Sequence, residues 1–165
     1  MFEALLSDLG ADSLTLQGVD YPADAAGNAN CGAAGGGDMA DKVATIQSRC
    51  PGTQVVLSGY SQGACVVHNA ASSAGATGIA GAVVFGESLS SVLTVEVRSA
   101  DVYRIAGDPF NGQSIEGVSD SNVLSVCRSD DSICNRGPSS GSGGHLSYGS
   151  SAQEAATFIE NLAGL

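Results

Sequence analysis

The chain has 165 residues, 43% of them hydrophobic, which is enough for the core of one domain and too little for two ordinary domains. Its formal net charge of −11 disfavours nucleic acids and anionic membranes as partners. No apolar run reaches the length of about 18 residues that a transmembrane helix needs, so we expect no membrane span.

The hydrophobic pattern alternates between helical and strand periodicity along the chain. The apolar residues of 2–9 have the spacing of a helix. A signal peptide would instead have a basic region followed by an apolar region, and this pattern is absent from 2–9. We expect a strand at 13–19, a Gly/Ala/Asn-rich loop over 21–37 and then a helix capped by Asp38. Further strands are predicted at 54–58, 80–85 and 123–126, and further helices at 62–73 and 155–162. This order predicts an α/β fold in which helices cover both faces of a central parallel sheet.

A candidate nucleophile follows the predicted strand at 54–58. Residues 59–63 read GYSQG and match the G-x-S-x-G pattern, between an apolar strand and a helix. The pattern needs this context because the serine projects from a tight strand-to-helix turn, where we expect side chains to collide at both Gly59 and Gly63. Ser61 would be the nucleophile, and the backbone N–H of Gln62 could donate to a developing oxyanion.

A general base can be chosen by elimination, because the chain has only two histidines. His68 lies two turns after Ser61 on the same predicted helix, about 10 Å along its axis, which is too far for a hydrogen bond. It is interpreted as a packing or surface residue. His145, just before the last helix, is therefore the expected base.

The acid should lie between the serine and the histidine if the order is Ser, Asp, His. The aspartates in that interval are Asp101, Asp108, Asp120, Asp130 and Asp131. Asp130 and Asp131 lie in a short polar loop between Cys127 and Cys134, where a local disulfide would fix a carboxylate. Spacing alone leaves the choice between these two open.

Together these residues resemble the cutinase family, which includes cutinases and acetylxylan esterases. The resemblance is carried by four ordered motifs: 21–24 (YPAD), 49–64 (RCP leading to SGYSQGA), 127–134 (CRSDDSIC) and 144–148 (GHLSY). The family's C-x-x-x-D-x-x-C loop assigns the acid to Asp131, and its H-L-x-Y motif assigns the base to His145.

The resemblance implies a three-layer α/β sandwich in one domain, 1–165, that hydrolyses carboxylic esters without cofactor or metal. It further implies a secreted monomer acting on a polymer surface, most simply cutin. The stretch 66–70 (VVHNA) is more like fungal cutinases than acetylxylan esterases. An acetylxylan esterase and an inactive, truncated cutinase-like protein are the alternatives.

Two regions depart from the family. The chain opens at what resembles the helix after the family's first strand, so we expect that strand, one oxyanion contact worth about 3 kcal/mol and a cysteine partner for Cys50 to be missing. Cys31 is a candidate substitute for that partner, which makes Cys65 the expected unpaired cysteine. Residues 87–107 are expected to be an insertion, because joining Gly86 directly to residue 108 restores the family's sequence AVVFGDPFNGQ. The segment is either a translated intron or a real surface insertion.

Overall fold

The protein is described here from a computed structural model, which covers residues 1–73, 77–87, 95–97, 103–105, 114–134 and 143–165. The helices are α1 (Phe2–Leu9), α2 (Ala25–Ala29), α3 (Ala33–Arg49), α4 (Gln62–Ala71) and α5 (Ala152–Ala163). The strands are β1 (Val55–Tyr60), β2 (Ile79–Phe85), β3 (Val95–Val97), β4 (Tyr103–Ile105) and β5 (Val123–Val126). Short 3-10 helices span Asp120–Asn122, Gly144–Leu146 and Tyr148–Ser151.

The main sheet is parallel and has β2 at its centre. β1 pairs with one edge of β2, from Val55 opposite Ile79 to Tyr60 opposite Phe85, and β5 pairs with the other edge. Nearly every residue of β2 is buried, as expected for a parallel strand covered on both faces. The carboxyl ends of these strands therefore meet at one edge of the sheet, where the candidate site lies.

Helices cover the sheet on both sides, which confirms the predicted three-layer α/β architecture. On one face, α3 and α4 enclose a core that includes Val43, Leu57 and Val67. On the other face, α1 and α5 pack over Val83 and Phe85. None of the helices in the described part of the chain is long and apolar enough to cross a bilayer.

The strand predicted at 13–19 is wrong. These residues form no ladder with any described strand. Leu14 packs against the α1–α5 side of the core, whereas Leu16 is exposed. Alternating apolar residues favour an extended backbone, but a strand also needs a neighbour to take its hydrogen bonds.

The loop predicted at 21–37 is largely helical, and Asp38 is not a cap. α3 begins at Ala33 with Gly32 as its N-cap, and the carboxylate of Asp38 instead accepts a hydrogen bond from Lys42 one turn later. Glycine disfavours an isolated helix, but here it permits close helix packing. A Cβ on Gly36 would lie 2.5 Å from Cβ of Asn69 on α4.

The cysteine pairing also differs from the prediction. Cys31 is bonded to Cys65, and the free cysteine is the exposed Cys50. Cys31 precedes α3 by two residues, and the close packing of α3 on α4 brings it to a Cα–Cα distance of 5.3 Å from Cys65. The structure also contains the disulfide between Cys127 and Cys134.

The expected insertion at 87–107 is described only in part. β3 and β4 pair antiparallel, with Val95 opposite Ile105 and Val97 opposite Tyr103. Residues 88–94, 98–102 and 106–107 lie outside the described residues. The pairing of β3 shows that the Val-rich part of this segment forms a strand.

Candidate active site

The turn from β1 to α4 holds Ser61 in an unusual backbone conformation. Its φ is +55° and its ψ −119°, values that non-glycine residues seldom adopt and that cluster at functional sites. The Ser61 N–H donates to the carbonyl of Phe85 at the end of β2, at 2.8 Å. This contact fixes the turn against the central strand.

Only one of the two glycines in the turn is required sterically. A Cβ on Gly59 would lie 2.0 Å from the carbonyl oxygen of Gly63, so no side chain fits there. A Cβ on Gly63 would lie 3.4 Å from the Tyr21 hydroxyl, an ordinary contact. The expectation of a collision at both positions is therefore wrong for Gly63.

Three side chains predicted from separate parts of the sequence meet beside this turn. Nε2 of His145 lies 2.9 Å from Oγ of Ser61, and its Nδ1 lies 2.8 Å from Oδ2 of Asp131. An ionised carboxylate only accepts hydrogen bonds. Nδ1 of His145 therefore carries the ring proton, and Nε2 is left to accept from the Ser61 hydroxyl.

Asp131 is completely buried, and its surroundings stabilise the charged form. Burial raises the pKa of its carboxyl, but hydrogen bonds from Tyr148 and His145 lower it more, and the pKa lies below its usual value. Oδ1 accepts from the N–H of Ile133 at 2.8 Å. This backbone contact lies within the loop closed by the disulfide.

Asp130, which spacing alone could not separate from Asp131, points away from the site. Its exposed carboxylate pairs with the guanidinium of Arg128, with Nε of Arg128 2.9 Å from Oδ1. That hydrogen bond lowers the pKa of Asp130. The geometry thus gives the two neighbouring aspartates different surroundings.

Two tyrosines at the site were missed by the sequence reasoning. The Tyr60 hydroxyl donates to the backbone carbonyl of His145 at 2.6 Å, and the Tyr148 hydroxyl donates to Oδ2 of Asp131 at 2.6 Å. Tyr60 is the variable residue of the G-x-S-x-G turn, so no rule singles it out. Tyr148 stands three residues after His145 in the H-L-x-Y motif, and that spacing was the available signal.

α4 carries two buried polar side chains, Gln62 and His68. Nε2 of the Gln62 side chain donates to the carbonyl of Asp24 and to Oδ1 of Asn28, which ties α2 to the turn. His68 is buried, with Nε2 2.7 Å from Oε1 of Glu87. Within the described ranges, no three His, Cys, Asp or Glu side chains converge closely enough to hold a metal ion.

A family model for cutinases matches residues 1–162. The chain belongs to the cutinase family. It is 42% identical over 160 residues to cutinase 4 of Emericella nidulans, covering 97% of this chain and 60% of that protein. It is 40% identical over 163 residues to a cutinase of Botryotinia fuckeliana, and this match covers 98% of this chain and 71% of that protein.

Solved structures agree with this assignment. Cutinase from Trichoderma reesei, in complex with a phosphonate inhibitor, superposes with a TM-score of 0.74 at 32% identity, covering 98% of this chain and 65% of that one. An acetylxylan esterase structure shares the fold with a TM-score of 0.65 at 24% identity, covering 97% and 86%. The chain thus spans about two thirds of the T. reesei cutinase chain.

Proposed function

We propose that this protein is a serine esterase in which Ser61 is the nucleophile, His145 the general base and Asp131 the acid that orients it. The observation that carries the proposal is the unbroken series of contacts from the Ser61 hydroxyl through the imidazole to a buried carboxylate. A serine hydroxyl is a weak nucleophile until an adjacent base can take its proton. Membership of the cutinase family supports an ester as the substrate.

The chemistry follows from these positions. Ser61 Oγ attacks the ester carbonyl carbon as His145 Nε2 takes the hydroxyl proton, and the oxyanion accepts from the Gln62 N–H at the start of α4. The intermediate then collapses, and the alcohol leaves with the proton from His145. Water, deprotonated by His145, attacks the acyl-enzyme, and the acid is released as Ser61 regains its proton.

The proposed natural substrate is the polyester cutin. Two apolar side chains stand exposed next to residues of the proposed triad: Leu146, 81% exposed, follows His145, and Tyr60, 43% exposed, precedes Ser61. Ile133, 39% exposed, is a third exposed hydrophobic side chain, on the loop that carries Asp131, and we call these three side chains the apolar rim. Exposed hydrophobic side chains beside a reacting centre favour contact with a water-insoluble surface over a soluble sugar chain.

Hydrolysis of p-nitrophenyl butyrate without added metal tests the reaction class. Ser61→Ala or His145→Ala should each lower kcat by about 10⁶-fold, because nucleophile and base act as a unit. Asp131→Asn should cost about 10⁴-fold, because it spoils the histidine tautomer. Asp130→Asn is the matched control, since it makes the same chemical change one residue away on an exposed side chain, and it should retain near-normal kcat.

The substrate class needs a separate comparison. The protein is assayed on cutin, on a synthetic aliphatic polyester and on acetylated xylan, with Leu146→Ser as a variant of the apolar rim. Cutin and the polyester should be hydrolysed, and Leu146→Ser should slow hydrolysis of the insoluble polymer more than that of the soluble butyrate ester. Faster release of acetate from xylan than of acids from either polyester would instead establish an acetylxylan esterase.

We also propose that the protein works as a secreted monomer. Its two disulfides fit an oxidising compartment, where such bonds persist. Size-exclusion chromatography with light scattering should give a single species with the mass of one chain. A stable dimer would contradict this proposal without affecting the esterase assignment.

Residues 87–107 are proposed to be an addition to the family domain. Joining Gly86 to Asp108 gives a continuous family-like sequence, which supports this division. Transcript reads across these codons test the intron form of the idea: a fraction should join codon 86 directly to codon 108. Transcripts that all retain the segment would instead establish a genuine insertion.

A further inference from the structure

The Tyr148 side chain contacts two members of the proposed triad, Asp131 through its hydroxyl and His145 through its ring. We propose that Tyr148 is a positioning residue that holds the Asp131 carboxylate, and through it the His145 imidazole, in the geometry needed for proton transfer. This inference rests on the serine-esterase function proposed above and extends it by a fourth side chain. Three observations carry it: the hydroxyl's direction, its shared acceptor and the packing of its ring.

The direction of the Tyr148 hydroxyl is fixed by two neighbours. The backbone N–H of Arg128 lies 3.3 Å from Oη and can only donate to it. The phenol hydrogen is therefore free for an acceptor, and Oδ2 of Asp131 lies 2.6 Å from Oη, closer than the disulfide sulfur of Cys134 at 3.2 Å, which is only a weak acceptor. Burial, together with the carboxylate of Asp131, raises the pKa of Tyr148 far above its usual value, so the phenol keeps this hydrogen.

The acceptor is the same oxygen that orients the imidazole. Oδ2 of Asp131 accepts from Tyr148 and from Nδ1 of His145, at 2.6 Å and 2.8 Å. Oδ1 accepts from the backbone N–H of Ile133. With donors on both oxygens, the carboxylate cannot rotate without losing one of them, and its orientation in turn fixes the ring of His145.

The ring of Tyr148 supports the same arrangement by packing. It meets the His145 ring edge-on, at 87° with centroids 6.4 Å apart, and also packs on Phe85 at the end of β2. Within the described part of the chain, the charge of Asp131 also acts on Tyr60, whose pKa is raised first by burial, and on Asp130, which is paired with Arg128. Of these three side chains, Tyr148 is the one that both donates a hydrogen bond to the Asp131 carboxylate and packs against the His145 ring.

Tyr148→Phe removes the hydroxyl and keeps the ring, so it separates the hydrogen bond from the packing. Loss of a hydrogen bond to a charged group should lower kcat on p-nitrophenyl butyrate by about 10-fold or more, with KM little changed. The acid limb of the pH profile of kcat should move to higher pH, because a carboxylate with one fewer donor attracts the protonated imidazole more strongly.

Tyr60→Phe is the matched control. It also removes a tyrosine hydroxyl at the site, but one that donates to the backbone carbonyl of His145 and not to a carboxylate. The acid limb of the pH profile of kcat should be unchanged in Tyr60→Phe, even if the maximum value of kcat falls. A double-mutant cycle gives a second test: in an Asp131→Asn background, Tyr148→Phe should cost less than about twofold, because the acceptor charge is already gone.

A variant that keeps the phenol guards against loss of folding. Incorporating 3-fluorotyrosine in place of Tyr148 preserves the packing and makes the phenol a stronger donor, so the acid limb should move to lower pH. An unmoved acid limb in both forms, or a full effect of Tyr148→Phe in the Asp131→Asn background, would overturn the positioning role while leaving the esterase intact. Absence of esterase activity in the unmodified protein would instead refute the proposed function and this inference together.

Discussion

Gly86 offers the sharpest test of how tightly the site is packed, because it follows β2 directly and faces the proposed triad. A Cβ built on Gly86 would lie 2.9 Å from Cε2 of Tyr148, 3.1 Å from Oδ2 of Asp131 and 3.1 Å from Cε1 of His145. Carbon atoms prefer separations of about 3.5–4.0 Å, so Gly86→Ala requires shifts of about half an ångström or more among these three side chains. Its φ of +54° adds backbone strain of about 1–2 kcal/mol.

Gly117→Ala separates the two effects. Gly117 has a φ of +75°, and a Cβ added there would meet nothing within 4 Å, so alanine brings the backbone strain without a collision. Both variants should lower the melting temperature by about 2–8 °C. Only Gly86→Ala should lose activity, by about 10-fold or more in kcat, because a displacement of about 1 Å costs about 100-fold and the shift here is about half of that.

The assay is hydrolysis of p-nitrophenyl butyrate, with melting followed by circular dichroism on the same samples. Gly117→Ala should have normal kcat. If Gly86→Ala also retained normal kcat, the close contacts between this glycine and the three side chains would not constrain the reaction.

Two further predictions concern the cysteines. Peptide mapping without reduction should recover Cys31 linked to Cys65 and Cys127 linked to Cys134, with Cys50 alkylated by iodoacetamide; a linkage that includes Cys50 would contradict the pairing. Replacing Cys31 and Cys65 by alanine should cost about 4 kcal/mol of unfolding free energy and replacing Cys127 and Cys134 about 2.5 kcal/mol, because the first pair closes the longer loop. Activity should fall more when Cys127 and Cys134 are replaced, because their loop carries Asp131. Equal kcat in the two double variants would show that the Cys127–Cys134 disulfide does not position this carboxylate.

The elements around the proposed nucleophile could be predicted because their signals are local. An apolar strand, a G-x-S-x-G turn and a following helix all lie within about twenty residues, and each restricts the next. The choice of His145 needed only the distance along one helix, which excluded His68. Asp131 was distinguished from Asp130 by the family motif, and the structure explains the difference by burial, which spacing does not encode.

The errors came from features that depend on distant parts of the chain. The glycines at the start of α3 indicated a loop, but two of them lie where α4 leaves no room for a side chain: a Cβ on Gly35 would meet Val66, and one on Gly36 would meet Asn69. Pairing of Cys31 with Cys65 spans 34 residues and follows from that same packing, so no spacing rule could supply it. The hydrogen bond from Tyr148 likewise joins the start of a 3-10 helix to the Asp131 loop, and this contact exists only in the folded protein.

In the proposed reaction Ser61, activated by His145, attacks the carbonyl carbon of an ester. The most direct test of this step is labelling with a p-nitrophenyl alkylphosphonate ester, in which Oγ forms a bond to phosphorus as p-nitrophenolate leaves, followed by intact-mass and peptide analysis. We expect one adduct per chain, located on Ser61, absent in Ser61→Ala and formed much more slowly in His145→Ala. An adduct on another residue, or ester hydrolysis that continues at the normal rate in Ser61→Ala, would contradict it.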